Sequence, residues 1–215
     1  MNKYSKKYFY IGASEFAAFV LWTILVRFVD VKTIGPGESA VGFSTVNSLF
    51  HKLTGVNMTL YTITDWLGFI PIFFAMGFAC LGLIQWSKRK SILNVDFSIL
   101  TLGGFYIATI AAYLFFEAFV INYRPVFING YLEASYPSST TMLVLCIIPT
   151  AIIQFHRRIK VRLIKQGIAL TLTAFTVFMV IGRLVSGVHW LSDIIGGVLL
   201  SAGLVTIYYA VIHLK

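Results

Sequence analysis

"GRLVSGVHWLSD", residues 182–193, decides the reading of this chain. It lies between two long apolar runs, "LTLTAFTVFMVI" and "IIGGVLLSAGLVTIYYAVI", yet within one short turn it carries an arginine, a histidine and an aspartate. Desolvating a charge at the edge of a hydrocarbon layer is costly, so ionisable groups placed there have a partner or a task. Arg183, His189 and Asp193 are therefore the first candidates for chemistry.

Outward from that stretch, the chain is apolar almost throughout. Its mean hydropathy of +0.85, with 58% hydrophobic and 12% charged residues, lies far outside the range of soluble domains. Runs long enough to cross a bilayer, about 20 residues each, cover 9–29, 63–86, 97–121, 139–155, 163–182 and 190–211. They predict an all-α membrane protein of six transmembrane helices, one integral membrane domain over 1–215. The first run is too long for a signal peptide and lacks a small-residue cleavage site, so it is expected to stay as a helix.

Lysine and arginine gather in the N-terminal tail, at 88–90, at 157–165 and at Lys215. Only Arg27, Lys32, Lys52, Arg124 and Arg183 fall in the alternate connections. The positive-inside rule then places a multi-pass protein in the plasma membrane with both termini cytoplasmic and 30–62, 122–138 and 183–189 outside. The net charge of +9 reads as contact with anionic membrane lipids, and nucleic acid is not an expected partner. In the outer segment 30–62, Val46, Leu49, Phe50 and Leu53 recur at helical spacing, which predicts a short amphipathic helix at the membrane surface. Trp22, Trp66, Trp86 and Trp190 read as interfacial belts and lipid-facing packing. The cytoplasmic connections are too short for a catalytic domain, so any reaction centre is expected at the outer face.

Three segments meet there: "FEAFVINYRP", "ASYPSSTTM" and the opening stretch. His189 and Asp193 are four apart, a spacing that puts both on one face of the sixth helix. A carboxylate so placed fixes the imidazole tautomer, leaves the other ring nitrogen free as a nucleophile and stabilises the charge that forms. Arg183 and Arg124 supply planar forks suited to phosphate oxygens. "YPSSTT" reads as a helix start with proline at a favoured position, and backbone amides near Ser138, Ser139 and Thr140 would bind an anion. Together these residues predict a phosphoryl site working through a phosphohistidine.

The chain resembles the type 2 phosphatidic acid phosphatases, a family sharing a fold with the vanadium haloperoxidases. That family carries Lys-x6-Arg-Pro, then Pro-Ser-Gly-His, then Ser-Arg-x5-His-x3-Asp. Here the motifs become Arg124-Pro125, "PSST" at 137–140, and Arg183, His189 and Asp193 at matching separations. The resemblance implies a helical membrane bundle, a phosphorylated lipid as substrate, and no metal or other cofactor. Glu117 stands where the family has lysine, Ser139-Thr140 replace Gly-His, and Gly182 replaces serine. The histidine lost at Thr140 is, in that family, the acid for the leaving group. Glu117 or His51 could substitute for it, although Glu117 is first expected to pair with Arg124.

Losing that acid has a consequence for substrate. A phosphate monoester departs as a strongly basic alkoxide, whereas a lipid diphosphate departs as a monophosphate with a second pKa of about 6, which leaves unprotonated. A preference for polyprenyl (undecaprenyl) diphosphate follows. The same residues would also serve a family member that binds or moves a phosphorylated lipid without turnover.

Overall fold

The computed structural model describes residues 3–214, so Lys215, counted above among the basic residues, lies outside it. The described chain forms helices α1 Lys3–Phe28, α2 Ser44–Thr54, α3 Met58–Leu67, α4 Phe69–Arg89, α5 Phe97–Ala118, α6 Ser139–Arg158, α7 Arg162–Val185 and α8 Leu191–Ile212. Among the described residues, six stretches are long and apolar enough to span a membrane, with α3 and α4 forming one of them over Met58–Arg89. Gly68 between the two keeps right-handed helical dihedrals, and its N–H reaches the carbonyls of Thr64 and Asp65 at 3.1 and 3.0 Å. Helix therefore continues through it.

Two helices begin earlier than hydropathy predicts, α1 at Lys3 and α3 at Met58. Hydrogen bonding and caps set helix ends, while hydropathy sets only the apolar window. For α3 the start is Asn57, whose Oδ1 accepts the Leu60 N–H at 2.9 Å.

α6 and α8 are the most buried of the spanning helices, and α1 packs along α8. At that crossing a Cβ on Gly203 would stand 2.9 Å from the Phe16 nitrogen, so a hydrogen side chain lets the two backbones touch, as small residues do between membrane helices. Ser5 Oγ donates to the His213 carbonyl at 2.7 Å, which sets both ends of the described chain at one end of the bundle. At that same end Asp96 pairs with Arg89 at 2.9 Å and with Arg158 at 3.6 Å. Residues 30–57, 119–138 and 186–190 gather at the opposite end.

The segment before α2 makes a two-residue antiparallel pair, Lys32–Thr33 against Ala40–Val41. α2 itself is inverted relative to a soluble amphipathic helix. Val46, Leu49 and Leu53 are exposed, while Ser44 and Asn47 are buried. Asn47 Nδ2 donates to the Gly42 carbonyl and to Ser192 Oγ, and its Oδ1 accepts the Ser192 N–H at 3.1 Å. Two tryptophans depart from the belt expectation. Trp190 is buried, with Nε1 donating to the Tyr123 carbonyl at 2.8 Å, and Trp22 donates to the Ser192 carbonyl at 3.1 Å; Trp66 and Trp86 are exposed.

Candidate functional site

The turn between α7 and α8 fixes the site. Gly187 holds a positive φ of 68°, and any side chain there would collide with the Gly55 carbonyl, so the turn packs tightly under the α2–α3 connection. Asn57 N–H bonds the Ser186 carbonyl at 2.9 Å and locks the same contact. Gly182, where the resembling family has serine, is tight as well: a Cβ would come 2.8 Å from Thr64 Cγ2 of α3.

His189 lies in this turn, one residue before the N-cap Trp190, and not on α8. The helical-face reading of His189 and Asp193 is thereby corrected. Asp193, in the first turn, accepts the Trp190 N–H on Oδ2 at 2.9 Å, so it caps α8 and cannot sit directly against the ring. Its Oδ2 is 4.0 Å from His189 Nδ1. The gap is bridged by Ser135, a residue that sequence reasoning missed. Ser135 Oγ donates to Asp193 Oδ2 at 2.5 Å and lies 3.0 Å from His189 Nδ1. Asn122 Nδ2 donates to Asp193 Oδ1 at 3.0 Å.

The protons on the imidazole follow from its partners. Arg183 Nη2, which can only donate, is 3.2 Å from His189 Nε2, so Nε2 is the acceptor. The ring hydrogen is then on Nδ1, donated to Ser135, whose hydroxyl hydrogen is already directed at Asp193. Burial, followed by the nearby Arg124 and Arg183 charges, holds the His189 pKa well below the usual histidine range, so the ring is neutral and Nε2 keeps its lone pair.

Arg183 faces that lone pair, and Arg124 lies over the same tyrosine ring as Arg183. Arg183 and Arg124 stack over the Tyr61 ring at 4.8 and 5.7 Å, and both side chains are buried. Each has one carboxylate: Asp65 Oδ1 is 3.4 Å from Arg183 Nη1, and Glu133 Oε2 is 3.1 Å from Arg124 Nε. The expected pairing of Glu117 with Arg124 is thereby replaced by Glu133. Glu117 instead lines a cleft of about 560 Å³ with Arg124, Tyr113, Glu133 and Ser139. Arg124 Nη1 and Arg183 Nε remain buried without a hydrogen-bond acceptor, and Arg124 Nε meets Glu133 as an ion pair outside hydrogen-bond geometry. Buried donors so left are costly, and an anion would satisfy them.

The helix start is less available than the sequence suggested. Ser138 is the N-cap of α6 and Pro137 precedes it, outside the favoured first-turn position. The Ser138 N–H donates to the Asp193 carbonyl at 3.1 Å, so this amide ties α6 to α8 and is not free for phosphate. Ser139 lies on the Arg124 cleft, and Thr140 sits in the first turn of α6 close to Gly68. The His51 ring lies 5.5 Å from the Trp190 ring, tilted 56° to it; its Nδ1 is buried without a partner, and burial lowers its pKa.

Asp65, Tyr61, Asn122, Ser135 and Glu133 complete the site and were absent from the sequence reading. Asp65 carried a usable signal, being the sole acidic residue between Glu38 and Asp96 and standing at the edge of a span.

Comparison with known proteins bears on the fold and the family. No curated protein matches the chain. The fold is similar to the crystal structure of a transmembrane PAP2 type phosphatidylglycerolphosphate phosphatase from Bacillus subtilis, at 16% identity over 93% of each chain with a TM-score of 0.61. A family model described as the PAP2 superfamily matches residues 99–215, which include Arg124, Ser135, Arg183, His189 and Asp193. With more than half its length in that match, the chain belongs to the PAP2 superfamily, a family of membrane lipid phosphatases.

Proposed function

We propose that this membrane phosphatase transfers the terminal phosphoryl group of a lipid diphosphate to His189 at the outer membrane face and then hydrolyses the phosphohistidine. The observation that carries the reading is the state of the imidazole. Nε2 is an unprotonated acceptor facing Arg183, and Nδ1–H is held by Ser135 and Asp193. When phosphoryl oxygens take over the Arg183 and Arg124 donors, Nε2 is released to attack phosphorus. The positive charge then forming on the ring is met by Asp193 through the Ser135 hydroxyl. Support for the outer face comes from the bundle's polarity, with the site at the end away from Arg89, Arg158 and both ends of the described chain.

The preference for a diphosphate rests on Thr140, whose hydroxyl is far too weak an acid to protonate a leaving alkoxide. The test compares turnover of a polyprenyl diphosphate with that of phosphatidic acid and phosphatidylglycerolphosphate in the native protein and in Thr140→His. The ratio of diphosphate to monoester turnover is expected to be high in the native protein and to fall in the variant. Faster native cleavage of either monoester would overturn the preference.

A further inference from the structure

With threonine at position 140, the second half of the reaction also needs a group to activate water. The structure places a carboxylate where that group is required. Asp65 Oδ1, near the C-terminal end of α3, is 3.4 Å from Arg183 Nη1, and the other arm of the same guanidinium, Nη2, is 3.2 Å from His189 Nε2. Asp65 and His189 therefore flank one planar fork on its two terminal nitrogens. A phosphoryl group bound on that fork has the nucleophile on one flank and the carboxylate on the other.

In-line displacement uses this opposition, because the water that cleaves a phosphohistidine approaches phosphorus from the side away from the P–N bond. Exposure agrees. The Asp65 side chain is 53% exposed while those of His189 and Asp193 are buried, so Asp65 holds the open flank of the fork. The residue that replaces the family histidine lies against the same turn. A Cβ on Gly68 would stand 3.6 Å from Thr140 Cγ2 and 2.8 Å from the carbonyl of Asp65. Glu117 and Glu133 sit instead on the Arg124 cleft.

We propose that Asp65 is the general base for hydrolysis of the phosphoenzyme, an inference that rests on the phosphohistidine reading above. In the first half, a bond forms between Nε2 and the terminal phosphorus, the bridging P–O bond breaks, and lipid monophosphate departs with the electron pair. In the second half, a water oxygen bonds to phosphorus and its proton passes to the Asp65 carboxylate. The P–N bond breaks, its electron pair returns to Nε2, inorganic phosphate leaves, and Asp65 releases the proton to solvent.

The experiment is rapid-quench trapping on the full chain in detergent micelles, using polyprenyl diphosphate labelled in its terminal phosphate. Asp65→Asn is expected to lower kcat by about 10²-fold, the low end of general-base effects, while acid-labile, base-stable label accumulates in a burst approaching one phosphate per protein. The native protein should carry only a small steady-state fraction of label. Asp65→Glu should restore part of the turnover. If the asparagine variant does not fold, the glutamate variant carries the test, with label raised above the native level. Slowed turnover without a burst means that Asp65 only holds Arg183, and overturns the proposal, as does native kcat in Asp65→Asn or native label in Asp65→Glu. Native-level turnover by His189→Ala overturns the phosphohistidine reading instead, and this proposal with it.

Discussion

The two ends of the bundle each hold a cluster of arginines and carboxylates, and they differ in what is left over. At the end shared by both chain ends, Asp96 accepts from Gln85 Nε2 at 2.8 Å and from Arg89 at 2.9 Å, and pairs with Arg158. Arg158 also donates to Gln154 and Ser98. At the other end, Arg124 and Arg183 each have a carboxylate at the rim, yet two of their nitrogens, Arg124 Nη1 and Arg183 Nε, stay buried without an acceptor. The first cluster satisfies itself and ties helices together. The second keeps buried donors unpaired, and an anion would satisfy them. Counting charges would not separate the two, whereas counting satisfied donors does.

The sharpest way to break that comparison is at Arg183. Arg183→Ala removes the donor nearest Nε2, and kcat is expected to fall by about 10²–10³-fold, as for loss of one preorganised donor, with KM rising and orthovanadate inhibition weakened. Native activity and inhibition would show that the spare donors are not there for the substrate. A smaller effect is expected at Ser135. Hydrogen bonds to charged groups contribute about 1.5–3 kcal/mol, so Ser135→Ala should lower kcat by about tenfold to a hundredfold with KM nearly unchanged, and Ser135→Thr should recover part of it. A change confined to KM would mean that the hydroxyl binds lipid and does not orient His189. The smallest effect is expected at the far end. Asp96 is partly exposed, where ion pairs are worth about 0–1 kcal/mol, so Asp96→Asn should leave lipid phosphatase turnover unchanged and lower the melting temperature only slightly. Loss of turnover would contradict the purely structural role of that cluster.

How far the sequence is legible follows from the range of the interactions involved. The spans could be read because hydropathy is local, and they err only at ends set by a cap such as Asn57. Arg183, His189 and Asp193 could be read because they share one short stretch. Their exact relation could not, because helical spacing does not apply across the N-cap at Trp190, and the bridging hydroxyl comes from Ser135, 54 residues away from His189. Asp65 reaches Arg183 across 118 residues of chain. Glu117 looked like the partner of Arg124 by proximity in sequence, but the 123–134 loop turns back and brings Glu133 to it, with the Arg124 N–H on the Glu133 carbonyl at 3.0 Å.

α2 carries a consequence for tolerance to mutation. In a soluble domain the apolar residues of a surface helix are fixed by the core and the polar ones vary freely. Here the order is reversed: Asn47 and Ser44 face the protein, and Asn47 grips the first turn of α8 beside Asp193, while Val46, Leu49 and Leu53 face away. As far as the bundle's own packing is concerned, the greasy positions of this helix are the interchangeable ones, and a single amide is the residue it can least spare.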